Sequence, residues 1–273
     1  MGISLEEAEV KFSNDPLVCL AVIQGDVNPW TQDWIDKLIA AEPTNSEGFY
    51  LKAWMSGTQG DRPAAIEALR QAAAMKDWPN DRRQERMLTA QEAAVACGVG
   101  VGDSVRLTLT GPLQHSITYQ ILESITNVLS EELTEAKASG SEEHQKVIAR
   151  IGLDTAAAYS QAISLAPPAT IEDELRAIDL QKAMLRELPE DFEIGGERPS
   201  TLIQWAEDRR IYIATSIEID EQGGIGAIFE TASDEDMYSY LANYLASGEL
   251  KAQEWLQMQA KEAKRRADAD GGK

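Results

Sequence analysis

Residues Asn45 to Met75 read NSEGFYLKAWMSGTQGDRPAAIEALRQAAAM, and the fold turns on how this stretch is read. Asn45 to Thr58 predicts one helix. A second starts at Asp61 or Arg62 and places Ile66, Leu69, Ala72 and Ala73 on one face. Between them Gly60 can stop the first helix with no steric penalty, and Asp61 supplies a carboxylate where the next helix needs a cap. Ala53, Ala65 and Ala72 are small enough to let two helix axes approach closely. The expectation is a pair of antiparallel helices joined by a tight turn.

The tripeptide Gln59-Gly60-Asp61 also occurs at Gln24-Gly25-Asp26, 35 residues earlier. Repetition at that interval marks the register of a repeated helical unit better than it marks a recognition tag.

The rest of the chain extends the pattern. Asn14-Asp15-Pro16 opens the apolar run LVCLAVI, with Pro at the first helical position where its missing donor costs nothing. Asn28-Pro29 opens a helix with Trp30, Trp34, Ile35, Leu38 and Ile39 on one stripe, stopped by Pro43. A helix capped at Asn80 or Asp81 runs to Ala96. Ile117, Ile121, Ile125 and Leu129 form a ladder in the helix that begins near Pro112. From Ser141 another helix carries Ile148, Ile151, Thr155, Tyr159 and Ala162, ending at Pro167-Pro168, and a further one runs from about Ala169 to Glu187. Ser233 with Asp236 predicts a cap before MYSYLANYL, and Gly248 separates that helix from the last.

Two stretches disturb the helical reading. GVGVGDSVRLTLTG is Gly-rich and alternates like a strand. Ile211, Ile213, Thr215, Ile217 and Ile219 would share one face of a strand, giving a small β-hairpin near 210–229 that turns at Gln222-Gly223-Gly224. The same residues fit the end of a helix from Ser200, with Leu202, Ala206, Arg209, Ile213 and Ile217 at helical spacing. The helix is favoured, because a lone two-stranded hairpin is marginal without more sheet. ELPEDFEIGGERPS reads as a loop and divides the chain into a repeat domain over 1–187 and a C-terminal helical segment over 188–273, which could continue the same domain.

Composition narrows the function classes. The chain has 273 residues, 43% hydrophobic, enough for a core, and helix formers dominate. Its formal net charge of −21 repels phosphate backbones, which excludes nucleic acid as a favoured partner and leaves basic or neutral proteins. The cationic run Lys261 to Arg266 suits the negative end of a last helix. PLVCLAVIQG is too short to span a bilayer, so no membrane insertion is expected. A cytoplasmic protein is expected, with export to a periplasm as the alternative if a leader precedes Met1 in the full protein. Cys19 and Cys97 each sit in an apolar helical run and read as buried free thiols, their pairing left open.

Asn45–Met75 resembles a tetratricopeptide repeat, a unit of two antiparallel helices about 34 residues long. Phe49 matches the bulky opening position, Ala53 the small one, Gly60-Asp61 the turn, and Ala65, Leu69 and Ala72 the second helix. Lys52 and Ser56 depart from the pattern, where a Leu and an aromatic are usual. Asp15–Pro43 keeps the turn and the closing proline, and Tyr159, Ala162 and Pro167 resemble the end of another unit. The resemblance implies an all-α fold of stacked antiparallel hairpins, an α-solenoid. It also implies a peptide- or protein-binding face carrying Tyr50, Leu51, Trp54 and Thr58. Packing of Tyr50 and Trp54 against a neighbouring helix is the competing reading of the same stripe.

No catalytic residues, cofactor or metal are expected. GVGVGD follows a helix instead of a strand and lacks the lysine of a phosphate loop. His115 and His144 match no compact metal spacing, and the acidic clusters SEEL, PEDFE and SDEDM fit solvated helix starts. The expected function is a non-catalytic protein- or peptide-interaction module. An enzyme with a carboxylate-lined site on a helical scaffold, and a homo-oligomer joined through Trp30 and Trp34, are the alternatives.

Overall fold

The computed structural model describes residues 5–25, 31–75, 79–100, 102–105, 118–160, 170–221 and 232–270. Among them the protein is all-helical. In chain order the helices are α1 (Leu5–Lys11), α2 (Pro16–Gly25), α3 (Thr31–Ala41), α4 (Glu47–Thr58), α5 (Arg62–Ala73) and α6 (Pro79–Ala96). They continue as α7 (Thr118–Ala138), α8 (Glu142–Tyr159), α9 (Ile171–Leu185), α10 (Pro199–Glu221), α11 (Asp234–Ser247) and α12 (Glu249–Asp270). Residues 102–105 form a further helical turn.

The helix ends follow local chemistry. Asp15 Oδ1 accepts from the Leu17 amide at 2.8 Å just ahead of Pro16. At the end of α4, Gly60 takes φ +79°, a conformation that only glycine adopts cheaply. That lets Asp61 N–H bond to Ser56 O and Gly60 N–H to Gly57 O, the paired bonds of a Schellman stop. Asp61 then caps α5, its Oδ1 accepting from the Ala64 amide at 3.1 Å. Ser233 with Asp236 and Thr170 with Asp173 form capping boxes for α11 and α9.

α4 packs on α5, and the pair lies against α7 and α8, with α9 joining α7 and α8. Their apolar faces merge with those of α2 and α3 into the main core, which includes Ile23, Ile35, Leu51, Leu69, Leu129 and Met184. Small residues set these crossings. Ala53, Ala65, Ala68 and Ala72 are buried. A Cβ on Gly152 of α8 would lie 2.4 Å from Met184 Cγ and 3.2 Å from Leu129 Cδ1. One on Gly57 of α4 would lie 2.9 Å from Val128 of α7. A second cluster joins Met87 of α6 and Val105 to Met237, Tyr240, Tyr244 and Leu256 of α11 and α12. A third joins Ile171 and Ile178 of α9 to Ala206 and Ile213 of α10 and Leu250 of α12.

The β-hairpin alternative near 210–229 is corrected. Ile211 through Glu221 lie in α10, and residues 222–231 fall outside the described residues. Strand alternation would place Ile211 and Ile213 on one face, yet Ile211 is 63% exposed and Ile213 0%. Packing of the helical face of Ala206 and Ile213 on α9 decides between the two readings. An isolated bridge pairs Ile194 with Glu197, closed by Gly195 and Gly196 at positive φ. It sits in the segment read as a loop, where Leu188, Phe192 and Ile194 nonetheless pack against the main core. The strand-like residues 106–117, with His115, lie outside the described residues, as do Asp26 to Trp30 and Ala162 to Pro168.

Candidate functional site

α4 presents the four residues singled out from the sequence. Its amides are satisfied at the start by Asn45, whose Oδ1 accepts from the Glu47 amide at 2.9 Å, and the helix is locked between α3, α5 and α7. Tyr50 and Leu51 are each 2% exposed and Trp54 4%, all three within the main core. Tyr50 meets Tyr159 of α8 edge-on, ring centroids 5.2 Å apart, and its hydroxyl bonds to the Thr155 side chain. Burial pushes the Tyr50 hydroxyl far above its ordinary pKa, outweighing the Thr155 bond. Thr58 is exposed, and its hydroxyl donates to Met55 O at 2.8 Å. The stripe is therefore three core side chains and one at the surface.

The other residues weighed from the sequence fall as follows. Cys19 is buried and Cys97 exposed, both as free thiols, and burial raises the Cys19 pKa. Trp34 is 9% exposed with the Lys37 ammonium 3.7 Å above its ring. His144 Nε2 lies 2.8 Å from Glu132 Oε1. Beside it Arg62, the first residue of α5, pairs with Glu135 at 2.6 Å and Glu131 at 3.5 Å. The turn at Gly60 thus positions a guanidinium on the acidic end of α7. Among the described residues no group of three or more His, Cys, Asp or Glu side chains converges to hold a metal ion. Among them also, no helix is long and apolar enough to cross a membrane.

Polar chemistry is denser where α9, α10 and α12 meet. Arg209 Nε donates to Glu174 Oε1 at 2.7 Å, with the Glu174 side chain only 5% exposed. Arg210 pairs with Asp179 at 2.6 Å and Lys182 with Glu207 at 2.9 Å. The Tyr212 hydroxyl donates to Glu254, while Lys251 donates to that hydroxyl at 3.0 Å and to Glu254 Oε2 at 2.8 Å. Burial raises the Glu254 carboxyl, but its bonds to Lys251 and Tyr212 outweigh this and hold it below the usual range. The Ile171 amide, at the start of α9, bonds to Glu249 Oε2 at 2.8 Å. Outward from this joint α10 exposes Trp205 (55%), Ile211 and Tyr212. Sequence reasoning missed this face; the signal was Trp205 and Tyr212 seven residues apart, two helical turns, with Ile211 beside them, on a helix whose other face is also apolar.

Comparison with protein-family models, with curated proteins and with solved structures found no match.

Proposed function

We propose that the protein is a non-catalytic protein- or peptide-interaction module built on tetratricopeptide-like helical hairpins, with an acidic surface that favours a basic or neutral partner. The observation that carries the reading is where the charge lies. Acidic residues outnumber Lys and Arg by 46 to 25. Among the described carboxylates only Asp173 and Glu174 are buried, so the described surplus lies at the surface. Meanwhile Arg62, Lys146, Lys182, Arg209, Arg210 and Lys251 are already committed to carboxylates. Such a surface speeds encounter with cations and rejects anionic partners. The α4–α5 pair supports the hairpin part of the reading: a Schellman stop, an acidic cap and buried alanines at the crossing reproduce the physical needs of the repeat unit.

Affinity capture from native lysate at low and moderate salt tests the proposal, with an unrelated chain of equal net charge as the reference. A reproducible protein partner absent from the reference and weakened by salt is expected. Recovery of the same proteins on both chains would contradict it.

A further inference from the structure

Among the described side chains of α10, Asp208 is the charge without an ionic partner. From Pro199 to Ser216 that helix has four charged residues, and three are paired: Glu207 with Lys182, Arg209 with Glu174, Arg210 with Asp179. Asp208 receives only the Gln204 side-chain amide, at 2.9 Å, and among the described residues no cation reaches it. Its neighbours on the helix surface are Trp205 at i−3, Ile211 at i+3 and Tyr212 at i+4, spacings at which side chains on a helix meet. Those three are 55%, 63% and 38% exposed. A carboxylate is thus ringed by two aromatic side chains and an isoleucine along about 10 Å of helix axis.

The helix and the Tyr212 ring are held in place. Ala206 and Ile213, on the opposite face, are buried against α9 and anchor the helix. Tyr212 is fixed by Glu254 and Lys251, with the Arg209 guanidinium 5.2 Å and the Lys251 ammonium 5.4 Å from its ring centroid. Both of those cations already have carboxylate partners, so they leave the charge of Asp208 unanswered. Contiguous apolar exposure bordered by a carboxylate is the kind of surface that marks an interaction site.

We propose that Trp205, Asp208, Ile211 and Tyr212 form a docking face for a partner segment that carries an Arg or Lys flanked by apolar side chains. The cation bonds to the Asp208 carboxylate and lies over the Trp205 ring, an aromatic suited to cation–π contact. The flanking apolar side chains cover Ile211 and Tyr212. Charge complementarity selects this occupant over a second copy, since two chains of net charge −21 repel. The inference rests on the interaction-module reading and gives it a site and a ligand chemistry.

The probe is a short fluorescein-labelled amphipathic peptide of leucine and lysine, followed by anisotropy, with a leucine–glutamate peptide as its counterpart. Trp205→Ala and Asp208→Asn are each expected to weaken binding of the basic peptide by about tenfold. Glu123→Gln, which removes the same charge from an exposed position on α7, is expected to change it less than about twofold. The acidic peptide is expected not to bind. Equal losses in Asp208→Asn and Glu123→Gln, or full binding in Trp205→Ala, would overturn the site while leaving the interaction module standing. Failure of the basic peptide to bind the parent chain would overturn the ligand chemistry. The lysate capture decides the module reading separately.

Discussion

Trp54 and Trp205 each belong to a helix with apolar neighbours, yet the first is 4% exposed and the second 55%. The difference lies in the residues beside them. Next to Trp54 stand Ala53 and Gly57, small enough that α7 comes down onto α4, with Val128 where a Cβ on Gly57 would be. Next to Trp205 stand Gln204 and Asp208, whose polar groups bond to each other and are exposed. Small residues invite a neighbouring helix and convert an aromatic into core. Polar ones keep the neighbour away and leave the ring as surface. Tryptophan is core in α4 and surface in α10, where the proposed docking face uses it.

The contrast breaks most readily at Trp54. Trp54→Ala is expected to cost about 4 kcal/mol in urea unfolding, through lost burial and the cavity left in the main core. Trp205→Ala should stay within about 0.5 kcal/mol of the parent. A similar cost at the two positions would abolish the distinction.

Within the polar joint, Arg209→Met is expected to cost about 2 kcal/mol, because it strands a nearly buried Glu174 carboxylate while part of the site stays wet. Removing the partnered carboxylate as well, in Glu174→Gln with Arg209→Met, should restore part of that loss in the same unfolding measurement. Asp61→Ala removes the α5 cap and is expected to cost about 1 kcal/mol, read as a shift of the urea midpoint at unchanged slope.

The core end also has a pH signature. Tyr50 has its pKa raised in the folded protein, so its contribution to stability is intact below the unfolded value of about 10. Above that pH the unfolded chain loses the proton first, and stability falls as pH rises. Tyr50→Phe should make the decline of stability above about pH 10 shallower; an unchanged slope would show that the hydroxyl ionises freely in the folded state.

How much of this was readable in the sequence depended on range. Helix ends governed by residues a few positions apart, at Asp15-Pro16, Gly60-Asp61 and Ser233 with Asp236, could be placed without a structure. Thr170 with Asp173 obeys the same rule and was legible too, though the sequence reading started that helix near Ala169. α10 was ambiguous because its isoleucines fit a period of two as well as a helical one. The choice was made by contacts with Ile171, Ile178 and Leu250, all distant in the chain. The candidate site fared worse for the same reason. The stripe of Tyr50 and Trp54 was visible, but whether another helix covers it depended on α7 and α8, more than sixty residues away. Arg209 could be placed on α10, while its pairing with Glu174, 35 residues back, has no local signature.

Docking on the outer face of α10, and not on α4, can be watched directly through the tryptophan indoles. The chain has 6 Trp, and Trp205→Ala and Trp54→Phe assign two of the indole N–H signals in a nitrogen-15 correlation spectrum. On addition of the leucine–lysine peptide the Trp205 signal is expected to shift progressively while the Trp54 signal holds its position. A shift of the Trp54 signal with Trp205 unmoved would contradict docking at α10 and return the site to α4.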